Sequence, residues 1–347
     1  MPPQKRAKQA RAIPLVQLCR NKPMARARRL FAQTGAALLG LSLLAGCDFP
    51  LRESLKPQLR PASLTPSKTA QKPDAPDAPT AKSRELAAYY EKLEEHLLSQ
   101  GLLRRDGGGP DTKFRALDLA RNFEAIAFYD EHSGGALLSE STAVSRFHPW
   151  RGPVHFNAHF GPSVSASQRI NDRATVNAYA ARLARVTGHE ISTTDAKGNF
   201  HVIFVSHDDD EALTDIVAGV WPDFPKSRLQ TLTNLPRDIY CLVHTNTPSA
   251  SEGSERALAI IRAEHPTLMR LSCVHEELAQ GLGLSNDSPL ARPSIFNDDE
   301  EFATLTSHDE LLLKMLYDPR LKSGMSLQEA RPTITQIAAE LTGETNS

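Results

Sequence analysis

Basic charge is scarce in this chain once its first 46 residues are set aside. Lysine and arginine number 40, and aspartate and glutamate number 41, across the 347 residues. Residues 1–46 hold nine basic residues and no acidic one, which leaves 31 basic against 41 acidic side chains, a formal charge of −10, in residues 47–347. Because nucleic-acid binding requires clustered lysine and arginine around phosphates, this balance argues against a nucleic-acid partner.

The apolar run at residues 35–46 is too short to span a bilayer comfortably, and it follows a basic leader. Leu44-Ala45-Gly46 before Cys47 resembles the lipobox of a bacterial lipoprotein signal. The resemblance implies cleavage before Cys47, lipidation of that cysteine and anchoring to a bacterial membrane, with the protein facing the periplasm. A transmembrane anchor with an incidental cysteine is the alternative. Met24 offers a second start site, and Asp48 resembles an inner-membrane retention signal.

Cysteine is rare, with four residues in the whole chain. Cys19 lies in the leader and Cys47 is the lipidation candidate. Cys241 and Cys273 then remain as an even pair in a chain exported to an oxidising space. We therefore expect a Cys241–Cys273 disulfide that ties a strand to a helix, and two separate buried thiols are the alternative.

Composition divides the chain into three expected parts: a signal peptide at 1–46, a membrane tether at 47–81 and a single domain at 82–342. The tether is rich in proline, which keeps a chain extended and prevents it from forming a core. Hydrophobic spacing in the domain predicts α+β structure. Helices are expected at 83–99, 115–129, 172–186, 254–264 and 267–281, and strands at 152–161, 191–194, 199–205 and 238–244.

Three local patterns add detail. Lys197-Gly198-Asn199 is typical of a hairpin turn and predicts that the second and third strands pair with each other. Ser307-His308-Asp309-Glu310 matches a capping box and predicts the start of a further helix. His155, Asn157 and His159 alternate along the first strand, a pattern usual for a solvent face, although these side chains could also line a cleft.

The most informative stretch is 274–287, which can be interpreted in two frames. His275-Glu276 suggests the zinc-peptidase pattern His-Glu-x-x-His, but the fifth position is Ala279. The helical wheel places His275 near an apolar stripe, which predicts a packed core histidine. It places three polar side chains on the opposite side: Glu276, Glu277 and Gln280.

Residues from about Tyr89 to Ala338 resemble an uncharacterised family of bacterial envelope proteins defined only as a domain of unknown function. The segments that carry the resemblance are Gly108-Gly109-Pro110-Asp111, Asn122-Phe123-Glu124, Arg185-Val186-Thr187-Gly188-His189, Glu276-Glu277-x-x-Gln280-x-Leu282-Gly283-Leu284-x-Asn286-Asp287 and Leu316-Tyr317-Asp318.

A more distant similarity is to metzincin peptidases such as the matrixins, whose motif is His-Glu-x-x-His-x-x-Gly-x-x-His. The second frame, which begins at Glu276, has that spacing and keeps Gly283 at the turn. The resemblance implies a zincin-like fold with a mixed sheet and a motif-bearing helix. It also implies a turn at Ser294–Asn297 with Phe296 at the methionine position, and Glu277 as general base. The metal-ligand positions are held by Glu276, Gln280 and Asn286.

Amide oxygens are poor zinc donors, so these ligand positions favour no tightly bound cofactor and leave room only for weakly held calcium or zinc. Three functional hypotheses follow. The first is a non-catalytic pseudo-peptidase that binds an envelope peptide, polymer or partner protein. The second is a metal-dependent hydrolase in which Glu276, Gln280 and Asn286 hold the metal and Glu277 is the base. The third is a buried polar network that only stabilises the fold.

Overall fold

The structure, a computed structural model, describes residues 78–129, 144–246 and 255–344. Across these residues the chain is an α+β protein with eight α-helices and a mixed five-stranded sheet. No helix in the described part of the chain is long and apolar enough to cross a membrane. The predicted signal peptide, Met24, Cys47 and Asp48 lie outside the described residues, as does nearly all of the predicted tether.

The helices are α1 (Ala81–Ser99), α2 (Ala116–Ala127), α3 (Ala166–Thr187), α4 (Asp210–Val220), α5 (Lys226–Leu232), α6 (Thr267–Gln280), α7 (Ser307–Leu316) and α8 (Leu327–Thr342). The strands are β1 (Val154–Phe160), β2 (Ile191–Thr193), β3 (Phe200–Val205), β4 (Cys241–Asn246) and β5 (Arg256–Arg262).

The sheet runs in the order β2-β1-β3-β5-β4, with β4 antiparallel to β5 and the other neighbours parallel. Side chains alternate between the two faces of a strand. In β3, Phe200, Val202 and Phe204 pack in the main core with side chains of α3 and α6. Ile203 and Val205 belong to a second core with side chains of α4 and α5. The sheet is therefore covered by helices on both faces.

The predicted hairpin between β2 and β3 is wrong, because β1 lies between these strands and pairs in parallel with both. The turn residues bind β1 instead. Asn199 accepts a hydrogen bond on its side chain from the His155 backbone N–H at 2.7 Å. A Cβ at Gly198 would come within 2.6 Å of the His155 carbonyl oxygen. Residue 198 must be glycine because the turn passes close to the backbone of β1.

The predicted helix at 254–264 is also wrong, since β5 occupies Arg256–Arg262 in the interior of the sheet. Residues 257–262 are all buried, so the strand has no polar side from which a period of two could be recognised. A continuous apolar run of this length does not distinguish a buried strand from a buried helix. Three observed helices, α4, α5 and α8, have no counterpart among the helix ranges given above, and α3 begins at Ala166, before the predicted start.

The helix that carries the motif was predicted to within one residue, and it lacks a capping residue of its own. Its N-cap position is Pro266, whose side chain accepts no hydrogen bond. Glu94 of α1 supplies the acceptor, since its Oε2 receives the Met269 backbone N–H at 3.0 Å. A carboxylate at the N-terminus of a helix also interacts favourably with the helix dipole. The first helix of the domain therefore stabilises the start of α6.

Helix α7 begins where the sequence predicts, but with a different cap. Thr306 is the N-cap, and Asp309 completes the capping box in place of the predicted Ser307 and Glu310. Ser307 is exposed and Glu310 contacts Arg182 of α3, with 2.9 Å between Oε1 and the guanidinium. The one-residue shift follows from burial, because Thr306 and Asp309 are both fully buried.

Candidate functional site

The motif helix α6 lies against the β4 side of the sheet. The expected disulfide is present and joins Cys241 at the start of β4 to Cys273 in α6, with 5.9 Å between their Cα atoms. The end of the helix approaches the sheet closely. A Cβ at Gly281 would lie 2.5 Å from the ring of Phe200 and 3.0 Å from Val243. Glycine is thus required for α6 to pack under the antiparallel edge strand.

His275 is a packed core histidine, as the helical wheel predicts. Its ring stacks on Tyr179 of α3 with 4.0 Å between ring centroids, and its Nδ1 accepts the Leu305 backbone N–H at 3.0 Å. Burial, together with the nearby positive charge of Arg182, lowers the pKa of His275 to about 3. The side chain is therefore neutral and serves the core.

Glu276 and Glu277 lie side by side next to the disulfide. Their carboxylate oxygens and the sulfur of Cys241 all fall within 4.8 Å of one another. Glu277 is buried, with 4% of its surface exposed, and Glu276 is partly buried. Because Cys241 is disulfide-bonded, its sulfur is no thiolate and the two carboxylates are the useful donors of this group. Two carboxylates alone suit a hard cation better than zinc.

The other two candidate ligands have different contacts. Gln280 is buried, and its amide nitrogen donates to Asp287 Oδ1 at 3.2 Å. The amide nitrogen of Asn286 donates to the carbonyls of Ala125 at 2.9 Å and Asp287 at 3.0 Å, and the Asn286 backbone N–H donates to the Ile126 carbonyl at 3.1 Å. Asn286 thus satisfies carbonyls at the end of α2, where a helix leaves them unpaired.

Gly283 lies between the end of α6 and Asn286. Its φ of +127° is a conformation that residues with a Cβ rarely adopt, and a Cβ there would lie 3.1 Å from the carbonyl oxygen of His148. The chain therefore turns sharply after α6, and the turn brings Asn286 to α2.

A second polar cluster, which the sequence did not single out, is centred on Asp309 of α7. Asp309 is fully buried and accepts hydrogen bonds from the Ser294 hydroxyl at 2.5 Å, the Ile295 N–H at 3.1 Å and the Thr306 N–H at 2.9 Å. It therefore holds the turn at Ser294–Asn297, where Phe296 is fully buried. A capping box read from Thr306 would have identified it.

Asn122, one of the family-like positions, lies beside the same cluster. Its amide nitrogen and Nε2 of the fully buried His308 are 3.1 Å apart. The ring of Phe114 meets His308 edge-on, with 4.8 Å between centroids. These contacts connect α2 to α7 and explain why a polar residue stands in the core-facing part of α2.

The described residues thus form an α+β domain in which a disulfide fastens a motif-bearing helix to the antiparallel edge strand of a mixed sheet. The family model described as protein of unknown function (DUF2927) matches residues 116–336, well over half of the chain, and the chain belongs to that family. Neither a curated protein nor a solved structure matches it. Helix α1, which caps α6, lies outside the matched segment.

Proposed function

We propose that this protein is a lipid-anchored envelope protein that uses a zincin-like scaffold, without catalysis, to bind an extended peptide. The motif helix next to an antiparallel edge strand carries the proposal. The turn at Gly283 and the buried Phe296 of the following turn support such a scaffold, because the metzincin resemblance implies a turn glycine and a Met-turn at these positions. The lipid anchor rests on the lipobox resemblance at Cys47.

The chemistry of the motif positions supports a role without catalysis. A zincin acidifies a metal-bound water, from which the glutamate base takes a proton. Glu276, Gln280 and Asn286 offer one carboxylate and two amides in place of three imidazoles, and the Asn286 amide nitrogen already donates to two carbonyls. A site with these donors holds zinc weakly. Glu277 would then have no activated water to deprotonate.

The outer edge of β4 supports an extended peptide as the ligand. Within the described residues β4 pairs with β5 on one side and ends the sheet on the other. Such an edge presents unpaired backbone N–H and C=O groups, and an extended peptide can add to it as a further strand. Because side chains alternate in a strand, Thr245 shares with Cys241 the face toward α6. A peptide on β4 would therefore contact the polar side of the helix.

Binding and cleavage can be measured in one sample with internally quenched fluorescent peptides of mixed sequence and the full-length protein in detergent. We expect anisotropy to rise for a subset of peptides and fluorescence to stay quenched, whether zinc, calcium or a chelator is present. Glu277→Gln should behave like the wild type: anisotropy should rise for the same peptides, and fluorescence should stay quenched. Metal-dependent dequenching that Glu277→Gln abolishes contradicts the proposal, and so does a panel with no anisotropy change at all.

Two matched variants locate the peptide. Thr245→Lys places a charge on the β4 edge, which blocks strand addition, and should weaken binding at least about tenfold, or 1.4 kcal/mol. Thr193→Lys makes the same change on β2, the opposite edge strand, and should leave binding intact. Equal effects of the two variants would show that the peptide does not bind along β4.

A hydrolase with unusual ligands is the second candidate, favoured by the closeness of the Glu276 and Glu277 carboxylates. In this mechanism Glu276 would hold a metal and Glu277 would act as general base. Metal analysis of protein purified without chelators discriminates between the two candidates. Stoichiometric metal that Glu276→Ala removes would favour the hydrolase.

The anchor has its own test. Substitution Cys47→Ala should move the protein from the membrane fraction to the soluble fraction of the envelope, because the acyl chains carry the membrane attachment. Retention of the variant in the membrane would favour a transmembrane anchor.

A further inference from the structure

His159 of β1 and His201 of β3 form a pair of imidazoles on the side of the sheet opposite α6. In β3, His201 shares its face with Ile203 and Val205, which pack against α4, whereas the α6 side is lined by Phe200 and Val202. Nε2 of His159 lies 3.1 Å from Nδ1 of His201, and the ring centroids are 5.2 Å apart. The pair is thus separate from the motif helix.

We propose that His159 and His201 together bind a divalent transition metal ion, such as Cu²⁺ or Zn²⁺. Zinc binds imidazole nitrogen at about 2.0–2.1 Å, so two nitrogens in a tetrahedral arrangement lie about 3.3–3.4 Å apart. The observed separation differs from this by a few tenths of an ångström, and both rings would also rotate so that the two nitrogens point at a shared ion rather than at each other. The two imidazoles supply two of the four ligands of such an ion.

The protonation states suit a metal. Burial lowers the pKa of His159, and burial lowers the pKa of His201 to about 4, so both rings are neutral at neutral pH. In the metal-free pair one ring donates an N–H to the other. Metal binding leaves each ring with one proton, carried on Nδ1 of His159 and Nε2 of His201, so no net proton is released.

Nearby charge sets the expected strength of binding. Arg173 and Arg256 are close enough to lower the pKa of His159 and His201 respectively, and their positive charge also opposes a cation. Each arginine contacts an exposed aspartate, Asp195 at 2.6 Å and Asp223 at 3.3 Å, which reduces that opposition. With two protein ligands, we expect the order of affinity to follow Cu²⁺ above Zn²⁺.

The polar residues that alternate along β1 include a control for this proposal. His155, Asn157 and His159 alternate along β1, but their contacts differ. His155 Nδ1 lies 2.8 Å from the Ser192 hydroxyl, and the Asn157 amide nitrogen donates to the Ala196 carbonyl. Of the three, His159 alone meets a second imidazole. His155 is therefore a matched control, on the same strand and the same face.

To test the proposal, the full-length protein in detergent is titrated with Cu²⁺ alone. Calorimetry measures the affinity, and electron paramagnetic resonance detects the nitrogen ligands of the ion. His159→Gln and His201→Asn should each weaken Cu²⁺ binding at this site at least about tenfold, a loss of 1.4 kcal/mol. Each variant should also remove the spectral splitting from the second nitrogen. His155→Gln should leave both readings unchanged.

Three results would overturn the proposal: titrations of His159→Gln and wild-type protein that coincide, a wild-type spectrum without nitrogen from two imidazoles, or an equal loss in His155→Gln. Thermal unfolding with chelator present checks that the variants are folded. If His201→Asn fails that check, His159→Gln decides the question, because His159 is half-buried and easier to replace. Binding here is independent of peptide binding at β4, so either proposal can fail alone.

Discussion

The two halves of α6 are held by different kinds of contact. In the first half Arg270 pairs with Asp172 of α3 at 3.1 Å, and Cys273 is bonded to β4. In the second half His275 enters the core, and two adjacent carboxylates, Glu276 and Glu277, lie close together. A buried carboxylate beside an arginine is compensated, and two neighbouring carboxylates favour a cation between them. The first half therefore anchors the helix, and the second half carries groups suited to a ligand.

The largest expected effect comes from breaking the anchor at Arg270. Arg270→Met should lower the free energy of unfolding by about 3–5 kcal/mol, because it leaves Asp172 buried without its cation. Burial already raises the pKa of Asp172 despite Arg270. Urea denaturation measures the loss. The double variant Arg270→Met, Asp172→Leu should regain much of it, and a double variant as unstable as the single one would contradict this explanation.

The next effect concerns His275 and pH. Its folded-state pKa is depressed to about 3, so the stability that it contributes is present above its unfolded pKa of about 6.5 and is lost as pH falls toward 3. A one-proton difference amounts to about 2 kcal/mol between pH 6.5 and pH 5. His275→Gln should flatten the dependence of unfolding free energy on pH by that amount. Parallel curves for variant and wild type would show that His275 does not titrate in this way.

A smaller effect is expected at the start of the helix. Glu94→Ala should cost about 1 kcal/mol, since the Met269 N–H loses its acceptor and the helix loses a favourable charge. Glu95→Ala is the control, because Glu95 is exposed on the same helix. Equal midpoints of urea denaturation for the two variants would exclude a capping role for Glu94.

The smallest effect on stability is expected at the motif. Glu277→Gln should change the unfolding free energy by less than about 1 kcal/mol, since the amide keeps the shape and removes repulsion from Glu276. The same urea experiment distinguishes the third hypothesis. If Glu277 belongs to a network that only stabilises the fold, the variant should lose much more, and Glu276→Ala more still.

Local patterns predicted the helices better than the sheet. The bounds of α6, the packed His275 and the end of α3 at Gly188, which has a φ of +68°, depend on residues within a few positions of one another. The pairing of β1 with both β2 and β3 depends on residues more than 30 positions apart. The site shows the same division. Glu276, Glu277 and Gln280 lie in one helix and follow from local spacing, whereas the contacts of Asn286 with α2 are long-range.

The sequence by itself determined that 274–287 is an organising helix and turn, because periodicity, Gly283 and residue chemistry are all local properties. Only the tertiary structure decided that 256–262 is a strand, that Glu94 caps α6 and that His201 meets His159. The reason is physical. A strand buried on both faces has no periodic signal, and contacts between distant segments depend on how several elements pack at once. These groups are close together in the folded chain although they are far apart in the sequence.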